Sequence, residues 1–286
     1  MARTQPTGFT NGAGDRISGP GPVVIVGILN VTPDSFSDSG DFFDPEKAVR
    51  HALEMLDEGA KIIDVGGEST RPGSDPVSPD EERRRVVPVI KEIIAERPEA
   101  IVSIDTYRSS TAEAALEAGA KIVNDVTAMR GDERMASLVA EANCPVVLMH
   151  MKGEPKTMQK DPRYDDVVKE VKEFLSERAE RAISAGASSE HIIVDPGIGF
   201  GKTLEHNLLL LKNLGEISGL GFPVLIGASR KTFIGKLTGE EDAGNRVFGT
   251  VATSVLAYER GARLFRVHDV KANREALEVA AAFENI

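Results

Sequence analysis

Short runs of apolar residues alternate along this chain with longer amphipathic stretches. The runs are Val23–Leu29, Lys61–Val65, Ile101–Ile104, Lys121–Val123, Pro145–Met149, His191–Val194, Pro223–Ile226 and Leu264–Val267. Each is rich in Val, Ile or Leu with few polar breaks, the pattern of parallel strands covered on both faces. Helical patterns lie between them. Asp44-Pro45-Glu46 reads as a helix cap followed by proline at the first helical position, and its helix runs on to Gly59. Ser78-Pro79-Asp80-Glu81 repeats that signal for a helix ending near Arg97. A third helix spans Ser109 to Ala118 and stops at Gly119; a fourth spans Tyr164 to Ala185, with apolar residues at helical spacing. "EAGAKIV" after the third helix echoes "DEGAKII" after the first, a helix–turn–strand joint used twice. Eight strand–helix units without a composition break predict a single-domain (β/α)8 TIM barrel over residues 23–286. Residues 1–22, rich in Gly, Pro, Thr and Asn, are expected to form a flexible N-terminal arm. A doubly wound open sheet is the competing α/β arrangement.

The ends of the strands separate the two. A polar residue stands at or just past each one: Asn30, Asp64, Asp105, Asn124, His150, Asp195, Ser229 with Lys231, and Arg266 with His268. One such residue alone is most simply a helix cap. Eight together would converge on one mouth in a barrel, where active sites of that fold lie, and would be scattered along an edge in an open sheet. Asp64 is the weakest member and can be read as structural. The stretches Asn30–Asp44 and Gly66–Ser78 are long for βα loops, which marks them as functional. Met151–Pro162, with Lys152, Lys156 and Lys160, reads as solvated surface.

Composition narrows the chemistry. The chain has 286 residues and a formal net charge of −11, with no basic run, so a nucleic-acid surface is not expected. Any anion site has to be built locally, and Arg71, Lys231, Arg266 and His268 fall where a barrel would gather them. Helix N-termini after strands 7 and 8 add backbone donors. Together these predict an anionic, diphosphate-like small-molecule substrate. Gly197-Ile198-Gly199-Phe200-Gly201-Lys202-Thr203 imitates a nucleotide-binding P-loop, but only three residues separate Gly197 from the Gly-Lys pair where four are needed. A glycine loop that lets a flat ligand approach Phe200 fits better. The five histidines lack zinc-ligand spacing, whereas a Mg²⁺ carried in on a diphosphate needs only one or two protein oxygens. The single Cys144 makes no internal disulfide and reads as a small core residue. No apolar stretch suits a membrane span or signal peptide, and the chain is expected to be cytoplasmic.

Five motifs taken together resemble the dihydropteroate synthase family: "GILNVTPDSFSD" at 27–38, "GGESTRPG" at 66–73, "DPGIGFGKT" at 195–203, "SRKTFIG" at 229–235 and "RVHDV" at 266–270. The resemblance covers about residues 23 to 283. It implies a Mg²⁺-dependent transferase that joins 6-hydroxymethyl-7,8-dihydropterin diphosphate to p-aminobenzoate in folate synthesis and acts as a homodimer. It further implies that Asp105, Asn124, Asp195 and Lys231 hold the pterin, that Asn30 binds Mg²⁺, and that Thr70, Arg266 and His268 contact the diphosphate with Arg71 nearby. The arylamine would then sit over Phe200, with Phe36 and Pro72 closing from the two long loops and its carboxylate meeting Thr232. Ser229 belongs to the same strand top. On this reading Lys231, Arg266 and His268 act in catalysis, and Asp38 stabilises a developing cation or fixes its loop.

Two departures from the family pattern stand out. Ser39-Gly40 replaces the usual Gly-Gly, and Thr232 replaces a usual Ser while keeping the hydroxyl. Both are positions where handling of p-aminobenzoate analogues such as sulfonamides can change. A folate-dependent methyltransferase would share Asp105, Asn124 and Asp195 but has no use for the arginine–histidine end or the first loop. A lyase forming a Schiff base on Lys231, activated by Arg230, and a non-catalytic pterin-binding protein complete the alternatives.

Overall fold

The computed structural model describes residues 9–10, 16–18, 23–32, 44–69, 76–154 and 156–284. Eight parallel strands close into a barrel: β3 (Val24–Asn30), β4 (Ile62–Gly66), β5 (Ile101–Asp105), β6 (Ile122–Asp125), β7 (Val146–Met149), β8 (Ile192–Asp195), β9 (Val224–Ile226) and β10 (Ala262–Val267). They follow one another around the ring in chain order, and β10 closes it against β3, pairing Arg266 with Val26. The open-sheet alternative is thereby set aside. Within residues 1–22, β1 (Phe9–Thr10) and β2 (Arg16–Ser18) pair antiparallel, and β1 lies near the 3-10 turn Ser189–His191 at the foot of β8.

Residue parity along each strand decides which side chains enter the barrel. Val24, Val26, Ile62, Ile122, Val147, Ile193, Leu225 and Leu264 form one buried cluster, the apolar floor inside the ring. Their neighbours of opposite parity, among them Ile25, Ile63, Val102, Ile104, Val123, Leu148, Val194 and Phe265, face outward and pack with the helices. An inward position two residues beyond a floor residue therefore stands at the mouth. Asp64 follows Ile62 in this way, Asn124 follows Ile122, Asp195 follows Ile193 and Arg266 follows Leu264.

Helices α1 (Pro45–Asp57) and α2 (Pro79–Glu96) begin where their caps predict. Asp44 accepts from the backbone N–H groups of Glu46 and Lys47 at 3.0 and 3.2 Å, and Ser78 accepts from that of Glu81 at 3.2 Å. After α1, Gly59 takes φ +106°; after α3 (Ser109–Glu117), Gly119 takes φ +113°, so the sequence echo is one joint built twice. The next helices are α4 (Met135–Ala142) and α5 (Val167–Ser184). Helix α5 starts later than its apolar spacing suggests because Asp166 caps it, which leaves Tyr164 outside to donate its hydroxyl to the Gly201 carbonyl at 2.9 Å. Helices α6 (Leu204–Lys212) and α7 (Leu214–Ser218) lie between β8 and β9. Helices α8 (Thr232–Thr238) and α9 (Val247–Tyr258) lie between β9 and β10, and α10 (Val270–Glu284) follows β10.

Candidate active site

At the mouth the polar side chains form one connected group. Arg266 donates through Nε to Asp64 Oδ2 at 2.6 Å and through a terminal nitrogen to Asp105 Oδ2 at 2.8 Å. Asn124 Nδ2 donates to the same Asp64 oxygen at 2.9 Å. The second oxygens, Asp64 Oδ1 and Asp105 Oδ1, are buried with no hydrogen-bond donor among the described residues. Two such acceptors are costly above an apolar barrel floor, and they mark a place where a ligand or water can donate. Asp64, weakest of the strand-top residues by sequence, is thus the centre of the group, with 1% of its surface exposed.

Electrostatics follow from burial in both directions. Burial raises the pKa of Asp105 to about 7, with Arg266 opposing and Asp64 reinforcing the shift. Burial also raises that of Asp195, against the pull of Lys231 and of the Gly197 N–H, which Asp195 Oδ1 accepts at 2.7 Å. Burial lowers that of Lys231 to about 8; Asp195 resists the shift and Arg266 adds to it. Among the described residues Arg266, and not Arg230, is the cation that most depresses Lys231. Arg230 turns away into a two-pronged pair with Asp269, its Nε 2.9 Å from Oδ2. That pair, with Ser229 Oγ 3.0 Å from His268 Nδ1 and accepting the His268 N–H at 3.1 Å, ties the ends of β9 and β10 together.

An apolar wall flanks the charged group. Phe200 and Tyr107 pack against a cluster of Val126, Met149, Met151 and Met158, and Lys231 Nζ lies 4.4 Å from the Phe200 ring centroid while donating to the Ile198 carbonyl. Thr232 is exposed at the first turn of α8, next to Lys231. Asn30 ends β3 at the rim, in register with Gly66.

The structure therefore gathers Asp64, Asp105, Asn124, Asp195, Lys231, Arg266, Phe200, Ser229 and His268 at one mouth, with Asn30 and Thr232 at its edge. His150 does not belong there. It follows the inward Met149, so parity turns it outward, where its ring meets Phe174 of α5 edge-on at 4.8 Å. Burial, then Lys202, pushes its pKa down to about 2, so the ring is neutral. Phe36, Asp38, Thr70, Arg71 and Pro72 lie outside the described residues.

Sequence reasoning missed three features. Glu68, just past β4, accepts from Arg108 at 2.7 Å and from the Val77 N–H at 3.0 Å, so the two stems of the Gly66–Ser78 stretch are joined. Arg108 also binds the buried Glu82 at 2.7 Å and the Val77 carbonyl at 2.9 Å. Lys202 is buried beneath the glycine loop. The stretch at 151–162 is not merely solvated surface: its lysines are exposed, but Met151 and Met158 are buried against Phe200 and Gln159 donates to the Gly199 carbonyl.

The pterin binding enzyme family matches residues 26–268 of the chain. A dihydropteroate synthase of Neisseria meningitidis serogroup B is 48% identical over 260 residues, 89% of this chain and 90% of that protein. The Xanthomonas albilineans dihydropteroate synthase in complex with 7,8-dihydropteroate superposes with a TM-score of 0.87 at 42% identity, covering 99% of both chains. The Thermus thermophilus dihydropteroate synthase in complex with 4-aminobenzoate gives a TM-score of 0.82 at 48% identity, covering 91% of this chain and 94% of its own. A closed barrel with this mouth, matched along nine-tenths of its length, belongs to the dihydropteroate synthase family of pterin binding enzymes, which are transferases.

Proposed function

We propose that the chain transfers the dihydropterin-methyl group of 6-hydroxymethyl-7,8-dihydropterin diphosphate to p-aminobenzoate, giving 7,8-dihydropteroate and diphosphate. The observation that carries this reading is the pair of buried oxygens on Asp64 and Asp105 that have no donor among the described residues, bordered by Asn124, Asp195 and Lys231. A pterin edge offers adjacent N–H groups and a carbonyl, and carboxylates, an amide and an ammonium are the groups that read such an edge. Arg266 spends two of its five N–H donors on Asp64 and Asp105, leaving others for a phosphate oxygen. With His268 it would stabilise charge on the departing diphosphate as the C–O bond breaks. The arylamine, its ring over Phe200, forms the new C–N bond through its nitrogen and gives up a proton to the released diphosphate or to water. Phe36, Pro72, Thr70, Arg71 and Asp38 belong to this reading through the family motifs.

A magnesium ion fits the residues in a limited way. Asn30 offers one neutral amide oxygen at the rim, and no cluster of three His, Cys, Asp or Glu side chains occurs among the described residues. An ion there would take most of its ligands from diphosphate and water, with Asn30 as the protein's contribution. When bound it would neutralise phosphate charge.

The deciding experiment mixes protein, Mg²⁺, the pterin diphosphate and p-aminobenzoate and follows dihydropteroate and diphosphate together. Equal appearance of both is expected. Pterin binding without product would replace this reading with a methyl-transferring or non-catalytic one, and omission of Mg²⁺ without effect would remove the ion from it.

A homodimer is also proposed. Phe248 and Leu256 on α9 are 88% and 51% exposed, and Val279 and Phe283 on the adjoining α10 are 59% and 75% exposed. Such an apolar face calls for cover, and a second copy supplies a matching one. Phe248→Asp is expected to shift sedimentation from dimer to monomer at micromolar concentration; an unchanged dimer would place the interface elsewhere. Among the described residues no helix is long and apolar enough to cross a membrane. A cytoplasmic location suits this reading and the buried free thiol of Cys144.

A further inference from the structure

The glycine loop that imitates a P-loop contains a lysine that the proposed reaction does not use. Lys202 is 3% exposed, and its hydrogen bonds lie beneath the loop. Its Nζ lies 2.9 Å from His150 Nδ1, 2.9 Å from the Gly197 carbonyl and 3.0 Å from the Phe200 carbonyl. With the His150 carbonyl at 3.4 Å, Nζ meets four acceptors, and burial pushes its pKa well below the ordinary lysine range. The His150 ring, held neutral, supplies one of them.

The rest of the loop follows the same logic. The Ile198 carbonyl accepts from Lys231, that of Gly199 from Gln159, and that of Gly201 from Tyr164. Every carbonyl from residue 197 to 201 thus accepts from a side chain. Turning them all outward requires left-handed backbone, and Gly197, Gly199 and Gly201 have φ of +66°, +86° and +64°. The loop also lies flat on the chain after β7. A Cβ on Gly197 would stand 1.9 Å from the His150 carbonyl oxygen, and one on Gly201 would stand 2.1 Å from that of Lys152. Phe200 rides on this frame, and Lys202 grips it on both sides, at 197 and at 200.

We infer that Lys202 is a positioning residue for the acceptor amine: it fixes the glycine loop from beneath and so sets the placement of Phe200. The inference rests on the reading that Phe200 carries the arylamine ring. On that reading Asp105, Asn124 and Asp195 hold the pterin from β5, β6 and β8, and among the described residues only Lys231 and the Gly197 N–H link that edge to the loop, so pterin binding depends less on it.

The test is Lys202→Met in the full chain, with kinetics in p-aminobenzoate and calorimetric titration of the pterin diphosphate. The expected result is a p-aminobenzoate KM raised about tenfold, with pterin affinity changed less than threefold. Gln159→Ala serves as a second variant: its side chain is exposed, and it removes one loop contact without emptying a buried site. It should raise the same KM a few-fold at unchanged melting temperature. An unaltered KM in either folded variant overturns the inference. So does a parallel loss of pterin affinity, kcat and KM, which marks a structural role only. If Lys202→Met fails to fold, Gln159→Ala decides alone. If the parent protein makes no dihydropteroate, the functional reading fails and this inference with it; if the parent turns over and both variants match it, this inference alone fails.

Discussion

Arg266→Ala is expected to lower kcat/KM about a thousandfold and to destabilise the barrel measurably. Two losses combine. The first is local: Asp64 and Asp105, with side chains 1% and 9% exposed, lose the guanidinium they share. Stranding one member of a buried pair costs about 3–5 kcal/mol unless the group takes up a proton. Asp105, whose pKa burial already raises to about 7, is the group placed to do so. The second loss falls on the reaction, since removing one preorganised donor from developing negative charge costs about 10²–10³ in rate. The pH dependence separates the two. Without Arg266 the Asp105 pKa rises further, so below about 7 the carboxyl is neutral in both proteins and its part of the destabilisation shrinks; above 7 it grows. Denaturant midpoints at pH 6 and pH 8, with steady-state kinetics at both, measure the two effects. Near-normal turnover in Arg266→Ala would remove the diphosphate role from this residue. A destabilisation independent of pH would show that Asp105 is not the stranded group.

The barrel was legible because parallel strands buried on both faces leave continuous Val and Ile runs, and eight runs with caps between them leave little choice of fold. The mouth was legible for a related reason: a polar residue two positions above an apolar floor residue has few other places to point. What escaped depends on contacts that sequence order hides. Asp64 reads as an ordinary buried strand residue until barrel closure brings Arg266 to it from 202 positions away. His150 was placed at the mouth because it follows an apolar run, yet a shift of one residue at a strand end exchanges inside for outside. Lys202 lies in a motif that suggests phosphate, and its acceptors are backbone carbonyls that no composition reveals. The lysine-rich stretch after β7 has lysines in solvent as expected, while Gln159 and Met158 among them reach the glycine loop and Phe200.

Lys231→Gln is expected to reduce kcat/KM at least a hundredfold near neutral pH and to abolish the alkaline limb of the pH profile. In the folded chain burial and Arg266 bring the Lys231 pKa down to about 8. Below pH 8 the ammonium opposes the charge of Asp195 and donates to the Ile198 carbonyl beside Phe200. As pH rises through 8 it becomes neutral, and Asp195 loses the nearby positive charge that most favours its ionised form at the edge that would hold the pterin. On the acid side, Asp105 and Asp195 have pKa values raised by burial, so protonation removes acceptors at a pH above the ordinary carboxylate range. The profile of kcat/KM reports these free-enzyme groups, and the parent should show a narrow bell with its alkaline limb near 8. Glutamine keeps a donor but has no charge to lose. Losing a charge-assisted hydrogen bond costs about 1.5–3 kcal/mol, and the weaker electrostatic support of Asp195 adds to that. The acid limb should move upward in the variant, because Asp195 no longer has Lys231 to favour its ionised form. An alkaline limb that persists near 8 in Lys231→Gln would assign that titration to another group and leave Lys231 with a purely structural hold on the glycine loop.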